Sequence, residues 1–179
     1  MSIERDAKYY NEIYSESESY SKHYSESRYY KLWTNVIELI PAKSNVVEIG
    51  CGTGQFAAML YEADLVETYH GYDISETAIE MAKKSCGNFF HAIDCYLLTI
   101  PATKLIICLE TLEHIDDVKF LNLLAMGSEI VFTVPDFDDP AHVRYFKNVA
   151  EIVFRFHQKI DFTHIVKIEK WFLCKGKII

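Results

Sequence analysis

Residues 46–56 read V-V-E-I-G-C-G-T-G-Q-F, from Val46 to Phe56. A β-branched pair runs into an acid, Glu48, and glycines then recur at alternate positions, Gly50, Gly52 and Gly54. Apolar helix formers follow at once. A buried strand that ends in a glycine turn, with a helix opening beyond it, brings backbone N–H groups close to a ligand. The turn lies between a strand pattern and a helix pattern, the context such a motif requires. A dinucleotide-binding turn has the form G-x-G-x-x-G; its third glycine would fall at position 55, which is Gln55. The spacing present is E-x-G-x-G-x-G.

Working outward, Tyr30–Ile40 reads as an amphipathic helix with Leu32, Trp33, Val36, Ile37 and Ile40 on one face, closed by Pro41. After the turn, positions 55–65 read as a short helix and 68–74 as a second strand. Asp73 ends that strand, at the carboxyl edge where an acid accepts both ribose hydroxyls of a nucleoside; the alternative is a loop acid capping the next helix. Ser75 is that helix's N-cap, Glu76 lies in its first turn, Lys83 and Lys84 in its last, and Gly87 follows it. A third strand spans 88–93, and Pro101 leaves little room for a helix before the apolar run 104–109, a central parallel strand. E-T-L-E-H-I-D-D follows at 110–117, then a helix over 116–126, a fifth strand over 128–134, and P-D-F-D-D-P-A-H-V-R-Y-F over 135–146. A helix to about Gln158 and two closing strands complete the chain, joined at Glu169–Lys170, a poor hairpin turn.

On these motifs the chain resembles the class I S-adenosylmethionine (SAM)-dependent methyltransferases, close to their type 11/12/23 small-molecule group. The resemblance implies a Rossmann-like, doubly wound α/β three-layer sandwich: a mostly parallel seven-stranded sheet with a C-terminal antiparallel hairpin, strand seven lying between five and six. It implies SAM as cofactor, held at its methionine end by Glu48 and the 50–54 backbone and at its ribose by Asp73. Asp94 would meet the adenine amino group, with Cys95, Tyr96 and Leu97 flanking the ring. Cys51, Phe56, Ile74 and Glu110 complete the expected cofactor contacts. The stretch 134–146 is similar to a V-P-N-F-x-x-x-x-H-V-R-x-F segment of the group, with Asp136 in place of the asparagine. There His142 and Arg144 would bind or deprotonate the acceptor; alternatively His142 begins a helix and Arg144 pairs with Asp138 or Asp139.

Ligands of open α/β sheets sit beyond the carboxyl ends of the strands, so 110–117 and 135–146 both face the acceptor. Glu113, His114 and His142 are the candidate catalytic bases. Amino-methylating DNA enzymes usually carry [D/N]-P-P-[Y/F/W] where this chain has E-T-L-E, which argues against a nucleobase amino group as target. Glu110, Glu113 and His114, at i, i+3 and i+4, would share one face of a helical turn, and His142 would complete a set able to bind a divalent ion. This pattern resembles metal-dependent small-RNA 2′-O-methyltransferases and ubiquinone-pathway O-methyltransferases. The competing role, helix capping by glutamate and pocket lining by histidine, is the one adopted, and no metal is expected.

The first thirty residues are rich in serine, glutamate and tyrosine, with Y-S-E-S at Tyr14 and again at Tyr24. They form a lid-like segment, with Tyr14, Tyr20, Tyr24, Tyr29 and Tyr30 either covering the cofactor or packing on the sheet edge; residues 31–179 form the catalytic domain. At 179 residues, half of them hydrophobic, the chain suits one domain. Five scattered cysteines without a C-x-x-C pair read as reduced thiols in a cytoplasmic protein. No window spans a bilayer, and the N-terminus has no signal-peptide core. A net charge of −8 disfavours nucleic acid and favours a small neutral or cationic substrate. The expected activity is methyl transfer to a small-molecule acceptor, at oxygen in preference to nitrogen, by a monomer or homodimer. An RNA 2′-O-methyltransferase, a non-catalytic SAM-binding module and an NAD-linked oxidoreductase are the alternatives.

Overall fold

Strand β1 (Ser44–Ile49) is buried from Val46 to Ile49 on both faces, as befits a parallel strand covered by helices on each side. The computed structural model describes residues 3–102 and 104–179. Around β1 the chain builds a seven-stranded sheet from β2 (Val66–Asp73), β3 (Phe90–Ala92), β4 (Leu105–Cys108), β5 (Glu129–Pro135), β6 (Ile160–Ile168) and β7 (Trp171–Ile178). Their order is β3-β2-β1-β4-β5-β7-β6, with β7 antiparallel to both neighbours and the other pairings parallel. The expected sandwich and the insertion of strand seven are both present. Strand order reverses beside β1, and the crevice there is where such sheets bind ligands.

Helices α2 (Tyr30–Ile37), α3 (Gln55–Glu62) and α4 (Glu76–Cys86) cover one face, burying Trp33, Val36, Phe56, Leu60, Ile79 and Ala82 against Val46, Tyr69 and Ile107. On the other face, α5 (Asp117–Leu121) and α6 (Val149–Phe156) bring Phe120, Leu121, Ile152 and Phe156 onto Val47, Ile106 and Phe132. The signals of α4 act as read: Ser75 Oγ accepts from the Ala78 amide at 3.1 Å, and Gly87, at φ +100°, closes the C-terminus. The five cysteines are free thiols.

Several boundaries contract. α2 stops at Ile37, where tighter i→i−3 bonds from Leu39 and Ile40 replace the α pattern while Ile40 stays buried. α3 ends at Glu62, β3 keeps three residues, and the helix expected over 116–126 is the five-residue α5, capped by Asp116. The doubtful hairpin turn closes because Glu169 adopts a left-handed conformation (φ +55°) and pairs with Lys31 at 2.7 Å.

The N-terminal stretch folds as α1 (Ala7–Glu16) and two short 3₁₀ turns laid across the carboxyl ends of the strands. Its anchors are polar. Glu4 accepts from the Asp116 amide (2.6 Å) and the Tyr96 hydroxyl (2.9 Å), and Arg5 donates to the Pro140 carbonyl (3.0 Å). Asn11 accepts from Ser75 Oγ (2.7 Å) and the Thr77 amide (3.2 Å). From below, Thr53 Oγ1 donates to the Tyr20 carbonyl (2.7 Å) and Gln55 to those of Ser19 (3.3 Å) and Lys22 (2.7 Å).

Candidate active site

Beneath that stretch lies a cavity of about 560 Å³, the size of a small-molecule site. Its floor is the glycine turn. Gly50 (φ +72°) and Gly52 (φ +52°) hold conformations that L side chains rarely adopt. A Cβ at Gly50 would stand 2.2 Å from Thr111 Oγ1, and one at Gly52 would meet the Tyr14 hydroxyl at 3.0 Å. Gly54 plays another part: it does not line the cavity, and its missing Cβ admits Phe90 (3.0 Å) and Ala82 (3.2 Å), so it serves packing between α3 and α4. Glu48, Gly50, Cys51, Gly52, Phe56, Asp73, Ile74, Asp94, Cys95, Tyr96 and Glu110 all line the space, whereas Leu97, expected beside the adenine, is exposed and lies outside it.

Each acid is tied down. Asp73, 8 % exposed, accepts from the Gly52 amide through Oδ2 and the Ser75 amide through Oδ1, both at 2.9 Å. It thus clamps the end of β2 to the glycine turn and still presents unused lone pairs to a diol. Burial raises its pKa against those two bonds. Asp94 caps a 3₁₀ turn by accepting from the Tyr96 amide at 2.9 Å. Glu48 turns to the adjacent strand, accepting from the Tyr69 hydroxyl at 2.5 Å; burial lifts its pKa to about 8, with that bond pulling the other way.

Glu110 overturns the expected helical turn. Its φ of +53° breaks the chain direction directly after β4, and α5 begins only at Asp117. Its carboxyl accepts from the Trp171 indole N–H (2.5 Å) and Thr133 Oγ1 (3.0 Å), away from Glu113 and His114. Burial raises its pKa to about 7 against those bonds and the more distant charges of Arg28 and Lys170. What converges instead is Glu113, His114 and His142, whose ligand atoms lie within 4.8 Å of one another. His114 Nδ1 bonds the Ala141 carbonyl (3.0 Å) and His142 Nδ1 that of Phe137 (3.3 Å), so each ring donates there and keeps Nε2 as an acceptor. Burial holds both rings neutral, His114 down at about 4. The two histidines line the cavity. Glu113 stands behind them, fully buried, both carboxyl oxygens lacking any hydrogen-bond partner among the described residues, its pKa pushed far up by burial and by Glu110.

Arg144 takes neither expected role. It donates to the carbonyls of Leu112 (2.7 Å) and Ile115 (2.6 Å) and pairs with buried Asp117 (3.2 Å), which Arg155 also meets at 2.6 Å. With the Val143 amide bonded to the Glu113 carbonyl (2.8 Å), this fastens the 110–117 loop to the 135–146 loop. Asp136 pairs with Lys167 outside the cavity. Tyr14, Tyr20 and Tyr29 line the space, whereas Tyr24 bonds Glu62 (2.5 Å) and Tyr30 is exposed. Sequence reading missed Tyr10, Arg28 and Trp171, all cavity-lining. Arg28 donates to the Tyr29 hydroxyl (2.6 Å) and has no carboxylate within 4.0 Å among the described residues; a cation in a tyrosine-rich segment was the signal available.

A doubly wound sheet with a glycine-floored cavity, a buried acid at the end of β2 and an imidazole pair at the cavity wall fits a SAM-dependent methyltransferase. The profile of the methyltransferase domain family matches residues 22–174, and the chain belongs to that family, with SAM as methyl donor. No curated protein matches in sequence. The fold is shared with N-methyltransferase NodS of Bradyrhizobium japonicum WM9, solved with S-adenosylhomocysteine (SAH): 18 % identity, 97 % of this chain and 99 % of that one, TM-score 0.71. A Haloferax volcanii methyltransferase solved with its activator gives 13 % identity, 97 % and 98 % coverage and TM-score 0.77. A SAM-dependent methyltransferase of Aquifex aeolicus gives 14 %, 98 %, 100 % and 0.67. No helix among the described residues is long and apolar enough to cross a membrane.

Proposed function

We propose that the chain methylates a hydroxyl of a small-molecule acceptor, with the 1–30 segment serving as the lid. The observation that carries this is the pair of neutral imidazoles at the cavity wall, each with Nδ1 committed to a carbonyl and Nε2 free. A free Nε2 is the atom that takes a hydroxyl proton. His142 is the better base, because the low basicity of His114 suits orientation rather than proton uptake. The donor supplies an electrophilic methyl on a good leaving group, so alignment and exclusion of water provide most of the rate. Asp73 would hold the ribose, Asp94 the adenine and the 50–52 backbone the methionine end. Arg28 is the cation suited to the methionine carboxylate. Isotopically labelled SAM incubated with the protein and metabolite extracts tests the reading. Labelled product from the parent and none from His142→Ala supports it; a parent that neither binds SAH nor yields product overturns it.

A second reading rests on Glu113. A buried carboxyl with no hydrogen-bond partner costs several kcal/mol unless protonated or paired. Glu113, His114 Nε2 and His142 Nε2 are the donors a divalent ion would take, and it would supply Lewis-acid polarisation of the acceptor oxygen. Glu110, held by Trp171 and Thr133, is not among them. RNA as acceptor is opposed by the charge of −8.

A further inference from the structure

Beyond the ends of β4, β5 and β7 the cavity finishes in a corner of aromatic rings. Phe137 and Trp171 stand at 80° with centroids 6.4 Å apart, and Tyr29 packs on Trp171 at 5.7 Å. All three line the cavity, and Phe137 also borders His142, centroids 5.4 Å apart. The carboxyl of Glu110 closes the corner, tied to the Trp171 indole and Thr133 Oγ1. One group of the chain already sits there. The Lys170 ammonium lies 4.4 Å from the centre of the Phe137 ring and 4.9 Å from that of Trp171, and its side chain lines the cavity. Neither Lys170 nor Glu110 has an opposite charge within 4.0 Å among the described residues. Ring faces attract cations and repel anions. Lys170 is an exposed residue, so its ammonium, held by ring faces alone, can move out into water.

We propose that this corner selects the acceptor: a small hydroxyl compound carrying an ammonium group, seated between Phe137, Trp171 and Glu110, with Lys170 holding the place while the site is empty. This rests on the proposed methyl transfer to a hydroxyl and names the class of compound that supplies it. Phe137 borders both His142 and Trp171. A hydroxyl at His142 Nε2 and a cation in the corner are thus separated by the breadth of one ring, the span of a short carbon chain. Glu110 serves this end of the cavity. Its two bonds turn the carboxyl towards β5 and β7, whereas Gly52 and Asp73 lie at β1 and β2, on the other side of β4. An anionic acceptor could meet Lys170 but would face Glu110 and the ring faces together. The chain's charge of −8 adds a general attraction for the cation.

The probe is choline, a hydroxyl and a quaternary ammonium on one short chain, against 3,3-dimethylbutanol, which has the same shape and no charge. Benzoate serves as the anion. Each is titrated by NMR into SAH-loaded protein, following the Trp171 indole N–H signal. In the parent, choline should bind roughly fivefold or more tighter than dimethylbutanol, and benzoate should leave the signal unmoved. Lys170→Gln removes the competing ammonium and should tighten choline about threefold while dimethylbutanol is unaffected. Glu110→Gln, whose amide oxygen still accepts from Trp171, should weaken choline at least several-fold and leave SAH affinity nearly unchanged. Equal affinity for choline and dimethylbutanol, or no shift with either, overturns the proposal. So does a Lys170→Gln variant that binds choline no better than the parent. Benzoate binding more tightly than choline would assign Lys170 to an anion and overturn it as well. In each of these cases SAH still binds and the labelled-SAM experiment still decides methyl transfer; a parent that does not bind SAH removes both readings.

Discussion

Replacing Glu48 with glutamine separates the cost of a buried acid from its use. In the fold this carboxyl is 2 % exposed and titrates at about 8, against 4.5 in the unfolded chain. Below pH 4.5 both states hold the proton and nothing is lost. As pH rises towards 8 the unfolded chain releases its proton while the folded one retains it, so stability falls. At 1.36 kcal/mol per unit, the loss across that window is on the order of 5 kcal/mol. Glutamine keeps an oxygen to accept from Tyr69 and carries no such linkage. Thermal denaturation of ligand-free protein should therefore give Glu48→Gln a Tm about 10 °C above the parent at pH 8.5, since ~1 kcal/mol moves Tm by roughly 2–4 °C at this size. At pH 5 the two should agree within about 3 °C. The variant should also bind SAH at least several-fold more weakly, because a neutral amide loses attraction for the ligand's ammonium. A variant less stable than the parent at pH 8.5, or shifted equally at both pH values, would refute the reasoning.

Gly50→Ala adds a methyl 2.2 Å from Thr111 Oγ1 at a positive φ, so it should cost about 3 kcal/mol or more and abolish SAH binding in calorimetry. Asp117→Asn breaks the pairing with Arg144 and Arg155; a loss of about 3–5 kcal/mol and a Tm lower by about 10 °C are expected by scanning calorimetry. Asp73→Asn sets an amide N–H₂ against the Gly52 or Ser75 N–H, and should weaken SAH at least tenfold, read by fluorescence titration. Manganese should broaden the His114 and His142 imidazole NMR signals of the parent but not those of Glu113→Gln; unaltered parent signals would remove the divalent-ion reading.

The sheet was legible because its signals are local. Apolar runs, Ser75 as cap, Gly87 as stop and alternate glycines each act within a few residues, and the structure uses every one. The 110–114 segment was misread for the opposite reason. Its i, i+3, i+4 spacing describes a helix, yet Glu110 is captured by Trp171 and Thr133, the former sixty-one residues away, and the backbone turns left-handed to reach them. Tertiary bonds outweighed spacing there. Arg144 shows the same limit: its partners, two loop carbonyls and Asp117, carry no sequence mark. Tyr10 was hidden among similar tyrosines, distinguished only by which loops hold its helix.

Thr53 and Gln55 belong to the floor of the cavity, yet their side chains grip the backbone of the cover. Whatever settles that floor therefore also tightens the cover, and the two equilibria share one coupling free energy. Trypsin should accordingly cut at Lys22 or Arg28 freely in ligand-free protein and slowly once SAH is present. On the proposed lid role, spent donor would leave by the same door through which fresh donor arrives, and each catalytic cycle would wait on that door swinging open.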